Sequence, residues 1–168
     1  MKKLVIVVLV VMLAVGIVVG IKPQKNENLI RIHIRANSNS EIDLKIQKDV
    51  REDVIGFLSN KLVECNNKAE AYDLIKDNMN NIEVISNNTI AKNQQTYKVR
   101  VLLREEEMPT RQYLDYRIEQ GLYDSLTIEI GDASGEDWWC VAYPPICFSE
   151  EGDYHYKSRL KELIEKYL

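Results

Sequence analysis

From residue 4 to residue 21 the chain carries no charged and no polar side chain, an unbroken run of 18. Lys2 and Lys3 precede it, and Lys22, Pro23, Gln24 and Lys25 follow. A helix needs about 20 apolar residues to cross the hydrocarbon of a bilayer, so this run is a short membrane span or a long secretory signal. Both readings stand: an uncleaved anchor, or a signal peptide cut near Gly16 or Gly20. In either case residues 26–168 are expected to form a single domain beyond the membrane, with residues 1–25 as its export segment and linker. The lysine pair favours an N-terminus that stays inside, a bias diluted by Lys22 and Lys25 on the far flank.

After the linker the pattern changes period. Residues 29–36 alternate, with Ile30, Ile32, Ile34 and Ala36 on one side and Arg31, His33 and Arg35 on the other, which predicts a half-buried strand. Asn37-Ser38-Asn39-Ser40 ends it, and Ser38 with Glu41 three residues on reads as a capping box opening a helix. Ile42, Ile46, Val50, Val54, Phe57, Leu58 and Leu62 continue at helical spacing to about residue 64. A second helix is expected beyond Asn66-Asn67, with Ala71, Tyr72, Ile75, Met79 and Ile82 as its apolar stripe. Its asparagine-rich second half, towards residue 92, consists of weaker helix formers. Tyr97, Val99, Val101 and Leu103 predict a second strand, closed by the charges of Glu105, Glu106 and Glu107 and by Pro109. A fainter strand lies around residues 112–118. After the turn at Gly121, Leu126, Ile128 and Ile130 make another, ending at Gly131; residues 138–143 are strand-like, and residues 159–168 form an amphipathic tail helix. The order predicts an α+β domain: an antiparallel sheet of four to five strands covered on one face by two amphipathic helices.

Charge narrows the partners. From residue 26 onward 18 basic groups face 26 acidic ones, a net of −8. Such a domain repels phosphate backbones, and no basic run interleaved with aromatics offsets this, so no nucleic-acid partner is expected. The chain has no glycine-rich phosphate loop, no G-x-S-x-G and no H-E-x-x-H, and no cofactor or metal is expected.

Three cysteines are present, Cys65, Cys140 and Cys147. In an exported domain Cys140 and Cys147 are a candidate disulfide; the alternative is that all three are reduced and buried. With His155 and His33 they lack the spacing of a zinc site. A cysteine hydrolase would need a thiolate at Cys140 or Cys147 beside one of those histidines, and no glycine there opens an oxyanion hole. Asp132, Glu136 and Asp137 sit in a glycine-bounded loop without the ligand alternation of a calcium site.

Residues 137–148 concentrate what is rare elsewhere: both tryptophans, two of the four prolines, two of the three cysteines and one of the two phenylalanines. Trp138, Trp139, Tyr143, Pro144, Pro145 and Phe148 therefore read either as a core strand with its exit turn or as a stiff aromatic contact for a partner. Strand neighbours point to opposite faces, so one tryptophan is expected buried and the other partly exposed. The polar strand face of Arg31, His33 and Arg35 is the second candidate contact surface, His33 by itself being the kind of residue that makes a structural hydrogen bond.

The block W-W-C-V-x-[YF]-P-P-[IL]-C-F, here running from Trp138 to Phe148, resembles the signature of the stage II sporulation protein R family. The stretch from Arg31 to Ser40 is similar to the family's R-x-H-x-x-A-N-S-x-S motif, and the stretch from Gly121 to Leu126 to its G-x-Y-x-x-L strand entry. Asn39 stands where aspartate is usual, Asp137 where asparagine often stands, and Tyr143 for phenylalanine. The resemblance implies a protein made in the forespore and exported into the space between the two surrounding membranes. There it would activate a membrane-embedded aspartic protease of the mother cell, which processes a pro-sigma factor. It implies a ligand and not an enzyme; the rival classes are an extracytoplasmic cysteine hydrolase and a membrane-tethered scaffold domain.

Overall fold

The computed structural model describes residues 25–113, 116–148 and 154–167. The apolar run at residues 4–21 lies outside the described residues. Among those described, no helix is long and apolar enough to cross a membrane.

The elements in chain order are β1 (Lys25–Arg35), α1 (Glu41–Val63), α2 (Lys68–Asp77), α3 (Met79–Lys92), β2 (Val99–Met108), β3 (Arg111–Tyr113), β4 (Tyr116–Ile118), β5 (Gly121–Ile130), β6 (Asp137–Tyr143), a 3-10 turn (Ile146–Phe148) and α4 (Tyr154–Tyr167). The chain is α+β, as its pattern implies, but the sheet is mixed. Its four strands run in the order β2-β5-β1-β6, and the central pair β1 and β5 is parallel. The outer pairs, β5 with β2 and β1 with β6, are antiparallel. The faint strand expected around residues 112–118 is instead a separate hairpin, β3 and β4, inserted between β2 and β5.

Alternation in β1 decides how the sheet is covered. Ile30, Ile32 and Ile34 are fully buried on one face; Ile32 and Ile34 stand in register with Leu126 and Ile128 of β5, which are buried with Ile130. Ile46, Val50, Val54, Leu58 and Leu62 recur every fourth residue along α1, all fully buried. Burying each such aliphatic side chain contributes roughly 1.5–3 kcal/mol, which makes this layer the main source of stability. Ala71 and Ile75 of α2, Ile82 and Ile90 of α3, and Leu163 and Ile164 of α4 complete the core.

Three boundaries differ from the sequence pattern. The capping residue of α1 is Ser40, whose side chain accepts from the Asp43 backbone N–H. Ser38 donates its hydroxyl to the Asp43 carboxylate instead. The expected second helix is two, because Asn78 breaks it and turns its side-chain amide back to the Leu74 carbonyl. Finally, β2 continues through Glu105–Glu107 to Met108, since Glu106 has partners on the sheet.

The corner between β5 and β6 is built on Asn37. Its side-chain oxygen accepts from the Asp132 N–H, and its amide donates to Asp43. Gly131 has φ +57°, and a Cβ there would meet the Asn37 side-chain oxygen at 2.1 Å, so glycine is required on both counts. A Cβ at Gly135 would lie 2.3 Å from the Ser38 carbonyl oxygen, and the Gly135 N–H bonds to Ala36 O at 3.0 Å. Asp43, buried beneath this corner, loses solvation, but bonds from Ser38, Tyr97, Asn37 and Ser40 outweigh that and hold its carboxyl below the usual range.

Candidate functional site: the polar face of the sheet

Sheet register turns Arg31, His33 and Arg35 away from the helices, as the alternation in β1 predicts. On β6 the partners of those residues are Val141, Trp139 and Asp137; on β5 they are Ser125, Thr127 and Glu129. From β2, Glu106 reaches the same face across Thr127. The two candidate surfaces read from the sequence, the arginine–histidine strand and the tryptophan block, thus meet on neighbouring strands.

His33 is the hub. Its Nε2 lies 2.8 Å from the Asp137 carboxylate and its Nδ1 3.1 Å from that of Glu106. Each ring nitrogen therefore faces a carboxylate, and the imidazole bridges β2 and β6 across β1. Asp137 also takes Arg35 Nε at 2.9 Å, and Glu106 takes the Thr127 hydroxyl at 2.8 Å. Burial opposes the charge on Glu106. Bonds from His33 and Thr127 and the charges of His33 and Arg104 overcome this and hold its pKa at about 2. The Trp139 ring stacks on the His33 ring at 5.2 Å and 24°, and the Arg111 guanidinium lies 4.4 Å from the Trp139 ring centre.

Arg31 is fully buried, on the same face but beneath the β3–β4 hairpin. Its Nε donates to Cys140 O and its Nη2 to the Tyr113 hydroxyl, both at 3.0 Å. The Tyr113 hydroxyl in turn donates to Trp139 O at 3.0 Å, which fastens the hairpin to β6. Nη1 of Arg31 has no hydrogen-bond partner among the described residues, and the guanidinium lies over the Tyr113 and Tyr123 rings.

The other candidate residues divide between support and surface. Trp138 and Trp139 do point to opposite faces, but both are half-buried; Trp138 lies on the helix side, 5.2 Å from the Arg51 guanidinium. Tyr143, Pro144 and Pro145 are buried, so these three brace the site from within. Phe148 closes the 3-10 turn, and its side chain lies outside the described residues. Cys140 and Cys147 are joined across a sequence separation of 7, with Cα atoms 6.1 Å apart. Cys65 is a buried thiol whose pKa is pushed up to about 11 by burial and by Glu70 and Glu64, so it is protonated at neutral pH. Asp137 belongs to β6 and not to the preceding loop. No group of three His, Cys, Asp or Glu suited to a metal occurs among the described residues. A groove of about 540 Å³ beside Lys68, Tyr72, Asp73 and Asp124 is lined by none of the candidate contact residues.

Glu106, Glu129, Thr127, Arg111 and Tyr113 were not singled out from the sequence. A signal for Thr127 and Glu129 was present: they are polar alternates of Leu126, Ile128 and Ile130, the same arrangement as in β1.

Comparison with known proteins agrees with the motifs. The family model described as Stage II sporulation protein R matches residues 26–153. The chain is 29% identical to Stage II sporulation protein R of Bacillus subtilis (strain 168), over 99% of this chain and 79% of that one. No solved structure matches. With the matched region spanning most of the chain and including β1, the whole sheet and the tryptophan block, this protein belongs to the stage II sporulation protein R family.

Proposed function

We propose that the chain is an exported signal of endospore formation that activates a membrane-embedded aspartic protease of the mother cell by contact. The protease then processes the mother cell's pro-sigma factor. Membership of the family supports the sporulation role. The observation that carries the contact reading is the convergence of two distant motifs on one sheet face, where Arg35, His33, Asp137 and Trp139 are held together. Packing alone would be served better by apolar residues, because sinking charges costs solvation that their pairing only partly returns. A rigid array of charges beside a half-buried tryptophan suits recognition, since preorganised groups lose little entropy on binding. In this reading the apolar run at residues 4–21 delivers the domain to the space between the two membranes, tethered or released.

Removing the chain from sporulating cells that still make the protease tests this reading. Conversion of the pro-sigma factor, followed by immunoblot, is expected to stop and to return when the full-length chain is restored. Conversion that continues without the chain contradicts it.

A further inference from the structure

The charges of the polar face are sorted by depth. Arg100, Arg104 and Arg35 carry side chains 72%, 42% and 36% exposed, and Arg111 is exposed on the hairpin beside Trp139. Their carboxylates lie underneath: Glu129 is 8% exposed, Glu106 20% and Asp137 26%. Among the described residues of this face, and counting buried Arg31, five guanidiniums meet three carboxylates, in a domain of net −8. Arg31 itself is buried beneath the hairpin, between the Tyr113 and Tyr123 rings, so the groups open to a partner are Arg35, Arg100, Arg104 and Arg111.

We infer that this face binds an acidic, extended segment of a protein partner, whose carboxylates pair with Arg35, Arg100, Arg104 and Arg111 alongside the Trp139 ring. The inference rests on the reading of this face as the partner surface and adds the chemistry of what is recognised there. The buried carboxylates hold the guanidiniums in place, Arg100 bridging Glu129 at 2.7 Å and Arg35 bridging Asp137 at 2.9 Å. A guanidinium so held keeps further N–H donors for an incoming carboxylate. An anionic membrane surface is the less suitable occupant. Membrane-binding faces insert large apolar side chains, and the large hydrophobics exposed among the described residues, Ile42 and Val84, lie on α1 and α3 and not here.

The test uses the full chain in nanodiscs of uncharged phosphatidylcholine, titrated with a capped oligoglutamate peptide while tryptophan fluorescence is followed. Saturable binding that weakens with salt is expected. It should weaken about tenfold or more in the Arg100→Glu/Arg104→Glu variant and in Arg111→Glu, with thermal melting of each variant used to confirm its fold. Arg100→Gln/Arg104→Gln serves in place of the first should charge reversal impair folding. Binding that these changes leave intact, or no binding, overturns the inference, as does a preference for phosphatidylglycerol nanodiscs over the peptide. Should the peptide fail to bind while Arg111→Glu still stops pro-sigma processing in cells, the acidic ligand is refuted and the contact surface stands. Peptide binding with normal processing in a strain lacking the chain would refute the signalling role alone.

Discussion

Glu106 shows how a single side chain ties the face to stability. Its pKa of about 2 lies below the ordinary carboxylate value of 4.5, so its ionised form is favoured by folding. The resulting stability is fully present above pH 4.5 and is lost as pH falls towards 2. The amount is roughly 3 kcal/mol, set by the size of the shift. Thermal unfolding followed from pH 6 down to pH 2 should show this loss, and Glu106→Gln should flatten the acid limb while lowering stability at neutral pH. An unchanged acid limb in that variant would remove Glu106 from the account. The tryptophans divide by face. Trp138→Ala removes packing against the helix layer and should cost around 2 kcal/mol of folding, within the usual range for a partly buried side chain. Trp139→Ala should cost no more than that, because its neighbours are His33 and the hydrated Arg111. Urea unfolding of both variants checks the order.

Among the elements, those with a strong period were legible and those held by polar contacts were not. The i, i+4 repeat from Ile46 to Leu62 places α1 within a residue of its observed end. The alternation of Ile30, Ile32 and Ile34 likewise identifies both faces of β1. By contrast, Glu105, Glu106 and Glu107 look like a solvated stop, yet β2 runs through them because Glu106 points to His33, a residue 73 positions away. The hairpin resembles one strand of the main sheet in sequence because it has only three residues per strand and leans on the sheet through Tyr113. The parallel pairing of β1 with β5 leaves no local trace, since it depends on β2 and β6 taking the edges. As for the site, Arg31, His33, Arg35 and Trp139 were recognisable, but their union on one face required the register of β6. The turn after β6 carries its own prediction. The Val141 N–H donates to Cys147 Sγ at 2.9 Å, so the Cys140–Cys147 loop pins the 3-10 turn back to β6. Cys140→Ser/Cys147→Ser should lower stability by about 2–3 kcal/mol, the worth of closing a short loop in the chain-entropy picture. Signalling per folded molecule should remain. A double variant of native stability that cannot signal would instead point to thiol chemistry.

At the scale of the whole molecule, the two sides of the sheet do different work. The helix side, rich in isoleucine and leucine, supplies the stability; the polar side spends part of it to hold charges in fixed places. The apolar segment ahead of β1 is read as the means of export. Two arginines at Val8 and Val11 should cost roughly 5–7 kcal/mol of insertion on translocon scales and abolish signalling, as cell fractionation and processing together would show. Activation of the protease by contact through the polar face is what we propose for this chain. The most direct measurement reconstitutes the protease with its pro-sigma substrate in vesicles and follows cleavage as the full-length chain is supplied from the extracytoplasmic side. The unaltered chain and the folded Cys140→Ser/Cys147→Ser variant are predicted to accelerate cleavage in a dose-dependent way, and a folded Trp139→Ala variant is predicted to fall far short of both. Equal acceleration by Trp139→Ala would contradict the account.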